Sequence, residues 1–443
     1  MSYPRLPAEL RFRSQPRTRS GAMSIKHLLE GVAIPDVVSV EQSFARLHLD
    51  DVAGELRARL RAAAVADALK PGQTVAIGVG SRGIKDLACL VRTVTEEVQR
   101  AGAEPFIVPS MGSHGGATAA GQVAVLASLG VTEGSVKAHI RASMDTTEIG
   151  RTGNNLPVYV DTHVLGADAV IILNSVKPHV AFRGRFESGL IKMIAIGIGK
   201  QRGAEACHAL GYGQMAENIL AVARVAMSRL NLLCAVGVVE NAFGEICQLA
   251  VLRAQEIEAE EPVLLERARA LAPRLFFDQL DVLIVDEIGK DIAGTGLDTN
   301  VIGRYHTSFA SGGPEISRIV VLDVTDRSAG NANGIGFADF TTRRAFEKVR
   351  FDQTYPNALT STVPTTVKIP MVLESDELAI RAAVKTCNLR DRRHVRLVRI
   401  RNTKALAIVQ VSPSLLGDVA RNACMVQVGK AAPLPFDSDG NLF

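Results

Sequence analysis

The sequence predicts an α/β protein of two units, each built on a mostly parallel, Rossmann-like sheet, with a cleft between them. Three observations carry this. Short apolar runs such as Val-Ile-Ile-Leu at 170–173 and Val-Leu-Ile-Val at 282–285 alternate with longer amphipathic stretches, the pattern of strands joined by crossover helices. Glycine-rich turns follow two of the strands, at 78–83 and 110–116. A break at Pro273 is followed by a fresh strand-like run from Asp281. With 443 residues, 47% of them apolar, the chain can fill more than one core. The expected division is an extension over 1–22, a first α/β domain over 23–273 and a second, closing the cleft, over 274–443.

Composition excludes several classes. The net charge is only +4, and part of the excess lies in Arg5, Arg11, Arg13, Arg17 and Arg19, so the body offers no basic face for nucleic acid. The arginine-rich start has no apolar core and is not a secretory signal; Met23 is an alternative start, which would leave 1–22 as a disordered extension. No apolar run approaches the ~18 residues of a membrane span. The six cysteines are scattered without CxxC spacing, as expected of reduced thiols in a cytoplasmic protein. Cys207 and His208 are adjacent, but neighbours on a helix point about 100° apart, which argues against joint ligation of a metal.

Taken in order, the first unit reads as a strand at 73–77, the turn Gly78-Val-Gly80-Ser81-Arg82-Gly83 and a helix over 84–100. The turn has the GxGxxG form that presents backbone N–H groups to a phosphate. A dinucleotide site also wants an acid at the end of the next strand; that strand, 105–108, ends in Pro109-Ser110, and Glu104 precedes it. A histidine loop, 110–116, then leads to a helix over 117–129. Strands are expected at 156–160, 167–173, 232–239 and 247–252, and helices at 201–210, 214–229 and 254–272, the last kinked or restarted at Pro262. The second unit reads as strands at 281–286 and 316–324, helix over 340–349 and 376–386, and a hairpin of 394–401 with 405–411.

The chemistry concentrates in 174–208. His179 follows Pro178, which restricts the backbone. Lys192 lies in the apolar run Leu-Ile-Lys-Met-Ile-Ala-Ile, so its amine must reach the surface, find a partner or be modified. His208 follows a glycine turn at 197–199. With His114 upstream in Ser-His-Gly-Gly, the set is a histidine in a glycine loop, a second histidine before a lysine, and a third sixteen residues after it. This arrangement resembles the lactate racemase family, whose members carry a nickel-pincer nucleotide on a lysine. The resemblance implies that Lys192 holds the pyridinium thioamide/thiocarboxylate mononucleotide and that His208 is the protein's ligand to nickel. It further implies that His114 and His179 are the acid/base pair for inverting a 2-hydroxy acid by hydride transfer, and that enzymes synthesising the cofactor serve as maturation partners. Gly80, Ser81 and Arg82 match the family's phosphate or substrate contacts, although Val79 replaces an acidic residue there.

In the second unit, Gly294-Thr-Gly-Leu-Asp298-Thr-Asn300 resembles the family's cleft loop, implying a cofactor contact at Asp298, a residue that also suits a turn. Where the family places a glutamine and a lysine, this chain has Gly303, Arg304 and His306; Arg304 and His306 are the expected substrate contacts. Arg183, Arg185 and Glu187 beside His179 point to a substrate larger or more anionic than lactate, such as a sugar acid or hydroxy-dicarboxylate. Two other readings stay open: a nicotinamide-dependent hydroxy-acid dehydrogenase using the GxGxxG turn, and an organic-acid binding protein without catalysis.

Overall fold

A computed structural model describes residues 24–81 and 83–443; the expected extension over 1–22 and Arg82 lie outside the described residues. The first sheet has the order His139–Ile140, Glu104–Pro109, Thr74–Val79, Ala169–Ser175, Leu232–Glu240 and Ile246–Arg253. All pairings are parallel except the last. Alternation along Thr74–Val79 sends Val75, Ile77 and Val79 to one core with the helices Val52–Ala62 and Leu87–Arg100. Ala76 faces the other core, with Met215–Arg229 and Ile257–Leu271. Both faces are thus covered, as a parallel sheet requires. The strand expected at 156–160 forms, but Pro157–Asp161 pairs antiparallel with Thr146–Arg151 in a separate ribbon.

The second sheet has eight strands in the order Met371–Leu373, Phe340–Thr342, Glu315–Val324, Gln279–Ile288, Leu397–Ile400, Ile408–Val411, Val38–Gln42 and Met425–Gln427. The first five run parallel and the rest antiparallel. Two elements differ from expectation. Phe340–Thr342 is a strand, and helix begins only at Arg343, capped by the Thr342 hydroxyl; β-branched Thr341 and Thr342 favour that choice. Val38–Gln42, which falls within the 23–273 span, pairs in this second sheet.

The chain therefore crosses between the sheets twice, and buried Gln42 joins the crossings. Its Nε2 donates to Leu406 O at 2.8 Å and Arg274 O at 3.4 Å, and its Oε1 accepts from Phe276 N at 3.1 Å. Phe44 stacks on Phe276 beside it, ring centroids 5.3 Å apart. Helix Ile257–Leu271 continues through Pro262. That proline has no N–H for Glu258 O, and the Arg185 guanidinium supplies the missing donor at 2.7 Å.

A second junction lies at the cleft. Arg183 donates to His179 O (2.6 Å) in its own loop and, across the junction, to Ser311 O (3.1 Å), Asn300 Oδ1 (2.5 Å) and Tyr305 Oη (2.8 Å). Thr299 Oγ1 donates to Val180 O at 2.8 Å, and Thr307 Oγ1 to Ala181 O. Replacing Arg183 by methionine is expected to lower unfolding stability by about 1–3 kcal/mol, the cost of losing a charged donor shared by several part-buried acceptors. Hydrogen exchange should accelerate in 179–184 and 298–311 together; unchanged protection in both would show that the latch does not hold the units.

Candidate functional site

Three adjacent parallel strands, Glu104–Pro109, Thr74–Val79 and Ala169–Ser175, open their following loops on one edge of the first sheet, where open α/β sheets place ligands. The loop after Thr74–Val79 carries Ser81, that after Glu104–Pro109 carries His114, and that after Ala169–Ser175 carries His179. Ser81 Oγ is hydrogen-bonded to His114 Nδ1. The His114 loop turns through Gly115 (φ +67°), where a Cβ would lie 2.6 Å from the backbone of Gly121 and Gln122, so only glycine fits. Gly112 N bonds Gly197 O at 3.2 Å, laying this loop over the segment that carries Lys192. Gly80 permits a similar approach: a Cβ there would reach Asn174 and Met193 at 3.0–3.1 Å.

Lys192 ends a short helical turn, Leu190–Lys192, and a π-turn, Met193–Gly197, follows, a local widening frequent at functional sites. Its Nζ lies 2.5 Å from His179 Nε2. His179 Nδ1 accepts from Ala181 N–H at 3.1 Å. Nε2 is thus the ring nitrogen that faces the lysine amine, and a hydrogen bond joins the two side chains. Of the three fates open to a lysine in an apolar run, this one found a partner.

Two buried carboxylates fix this pair through its backbone. Glu187 accepts from His179 N at 2.6 Å and Gly184 N at 3.2 Å and pairs with Arg269. Glu261 accepts from Ile191 N at 2.8 Å, and a Cβ on Gly189 would lie 2.0 Å from its Oε1. Burial raises the Glu261 carboxyl to about 7, against the two backbone donors of Leu190 and Ile191.

His208 ends the helix Lys200–His208. Its Nδ1–H donates to Ala204 O at 2.7 Å, which fixes the tautomer and turns Nε2 into a lone-pair donor suited to a metal. Burial holds its pKa below the usual histidine range, so the ring is neutral at neutral pH. The Cys207 thiol is pushed up to about 12 by burial, which keeps it from acting as a thiolate beside it. Tyr212, absent from the sequence reading, packs at ring-centroid distances of 5.6 Å from His208, 6.4 Å from His179 and 6.0 Å from His306. The only sequence signal for it is an aromatic four residues after His208. His306 thus brings the second unit to the site; its buried Nδ1 has no hydrogen-bond partner, and burial lowers its pKa to about 4.

Other expected residues sit differently. Arg304 is committed to Asp339, Phe337 O, Ile316 O and Ser317 O, within the wall of the second unit. Asp298 caps Thr299–Ile302 and holds the Asn300 side chain at 2.9 Å, orienting it for Arg183. Arg183, Arg185 and Glu187 all serve internal contacts, which removes the observation that pointed to a larger, more anionic substrate. The GxGxxG turn does not open a helix: helix begins at Leu87, after Asp86 in the left-handed region, so no helix N-terminus meets the turn as a dinucleotide fold requires. Among the described residues no three His, Cys, Asp or Glu side chains gather to hold a metal ion. A metal at His208 would need its remaining donors from the group that carries it, and the donor set fits a pre-chelated ion.

Fold and site together define a two-unit α/β protein with a histidine–lysine cleft. Residues 44–219 match the family model of the lactate racemase N-terminal domain. The matched stretch carries Ser81, His114, His179, Lys192 and His208, and that part of the chain is similar to the lactate racemase N-terminal domain. No curated protein matches it. Among solved structures, a Thermotoga maritima protein shares the fold at 12% identity and a TM-score of 0.50, over 81% of this chain and 99% of that one. The lactate racemase apoprotein from Thermoanaerobacterium thermosaccharolyticum aligns at 14% identity and a TM-score of 0.48, over 83% and 99%. Among the described residues no helix is long and apolar enough to cross a membrane.

Titration of Glu261 gives a pH signature. The unfolded carboxyl ionises near 4.5 and the folded one near 7, so between those values the folded state binds the extra proton and stability falls as pH rises. Glu261→Gln removes this slope. The stability of wild type relative to the variant should fall by up to about 2–3 kcal/mol from pH 4.5 to 7.5; denaturant titrations giving a constant difference would refute the assignment.

Proposed function

We propose that this chain inverts the C2 centre of a small 2-hydroxy acid, with a nickel-pincer nucleotide carried on Lys192. The observation that best supports this is the 2.5 Å approach of Lys192 Nζ to His179 Nε2, which joins the implied tether to an implied acid/base group. Lys192 would form the thioamide link, and His208 Nε2 would ligate nickel, whose square-planar preference suits one imidazole added to a chelate. Bound there, the group would supply acceptance and return of hydride at C2.

The protein's own part is proton handling and orientation. Mirror-image substrates turn the hydroxyl to opposite sides, so inversion needs a base on each, the roles of His114 and His179. An imidazole is suited because its ordinary pKa of about 6.5 lies near working pH. Ser81 would steady His114 through Nδ1. Neutral His306 would offer a ring nitrogen to a substrate oxygen, and the Tyr212 ring would exclude water between the units. Arg82, whose planar fork suits a carboxylate or phosphate, would grip one of these groups, and Gly80 would let the cofactor approach the backbone.

Nickel analysis with intact mass, on protein produced together with the cofactor-synthesising enzymes, tests the tether. An adduct should map to Lys192, and the Lys192→Ala variant should lack adduct, nickel and activity while remaining folded. Full activity of that variant would overturn the reading. A substrate deuterated at C2 should be inverted with its label retained, whereas label lost to water would replace hydride transfer by direct deprotonation. His114→Ala and His179→Ala should each cost roughly 10²–10⁴-fold in turnover.

A further inference from the structure

Lys200, eight residues beyond Lys192, has no exposed surface, and its backbone stands at φ +54°, a region that L-residues with long side chains rarely adopt. Its ammonium donates to Pro109 O and to Gln122 Oε1 (3.0 Å). It also faces Asp161 Oδ2 at 3.1 Å as an ion pair, without hydrogen-bond alignment. Desolvation disfavours this buried charge, and Asp161 only partly offsets it. A buried ion pair is a poor source of stability compared with apolar packing, so strain and desolvation together call for another role.

Gln122 shows what that role is. Its side chain is fully buried in the helix Ala119–Ser128. A glutamine amide can sit in either of two orientations, but an ammonium has only donors. Lys200 therefore draws Oε1 toward itself and turns Nε2 the other way. There Nε2 donates to Gly112 O at 2.8 Å and His114 O at 3.3 Å. Pro109 O at one end of the loop is held by Lys200 directly, and Gly112 O and His114 O at the other end are held through Gln122. The whole turn from strand to histidine hangs on one ammonium.

We propose that Lys200 is a positioning residue for His114, acting through the Gln122 amide; the proposal rests on the reading of His114 as an acid/base group. Gln122→Glu is the discriminating variant. It keeps the volume and a partner for Lys200 but sets a carboxylate oxygen against the two loop carbonyls. The double variant Lys200→Met/Asp161→Asn removes both charges and keeps an oxygen for the backbone donors at His163 and Val164, guarding against a misfolded single variant.

The first readout is the imidazole ¹⁵N spectrum of the full chain labelled in histidine, with the His114 signals assigned by their loss in His114→Ala. In both variants the His114 signals should shift or split while those of His208 stay in place. The second readout is turnover of cofactor-loaded enzyme: kcat should fall by about 10²-fold, the scale of a misplaced reacting group, with KM and nickel content unchanged. His114 signals unmoved in both folded variants would overturn the positioning role. If they move while His114→Ala retains full turnover, the positioning role stands and the acid/base reading of His114 fails instead.

Discussion

The site depends on one buried carboxylate. Glu187 takes the N–H of His179 and of Gly184, and Arg269 and Arg183 balance its charge from two sides. Losing the acceptor would leave the His179 and Gly184 N–H groups without this partner beside a fully buried side chain, at a cost of about 1–3 kcal/mol for each buried donor left unmet. The consequence is geometric before it is energetic. Once the His179 backbone is fixed, Ala181 N–H fixes the ring, the ring fixes the Lys192 amine, and the carbonyls of 179–181 are set out for Arg183, Thr299 and Thr307. Assembly of the cleft and orientation of its chemistry are the same event.

The reactive side chains share a mode of support. Each is held through its backbone by a buried polar group: His179 by Glu187, the Lys192 turn by Glu261, and the His114 loop by Gln122. Apolar packing alone fills volume without choosing between near-equivalent loop conformations, whereas a hydrogen-bonded buried group favours a single arrangement because every alternative leaves a donor unmet. The cost is local stability, which the two large apolar cores around the first sheet can bear.

Much of this was legible from the chain. Apolar strand runs, the glycine turn before His114 and a lysine inside an apolar run are local signals, and the structure sets all of them on one sheet edge. What was not legible is nonlocal. Val38–Gln42 is a short alternating run like many others, and its partners, Ile408–Val411 and Met425–Gln427, lie at the far end of the chain. Arg183 reads as a loose cation because its acceptors, Asn300 and Tyr305, stand more than a hundred residues away. Glu187 and Glu261 look like ordinary surface acids until burial and backbone donors are known. Arg185 answers a carbonyl left open by Pro262, a relation visible only once both segments are placed.

The position of Val38–Gln42 also bears on how the protein is made. On a ribosome adding about 5–20 residues per second, this strand emerges tens of seconds before either of its partners exists. The first sheet closes with Ile246–Arg253 and receives its helix Ile257–Leu271 during that interval. The nascent chain thus carries a finished first sheet preceded by an unpaired strand with two bare edges, a form open to wrong pairing. Glu41 and Gln42 within that strand, and its brevity, lower that hazard until the last stretch of the polypeptide arrives to close it.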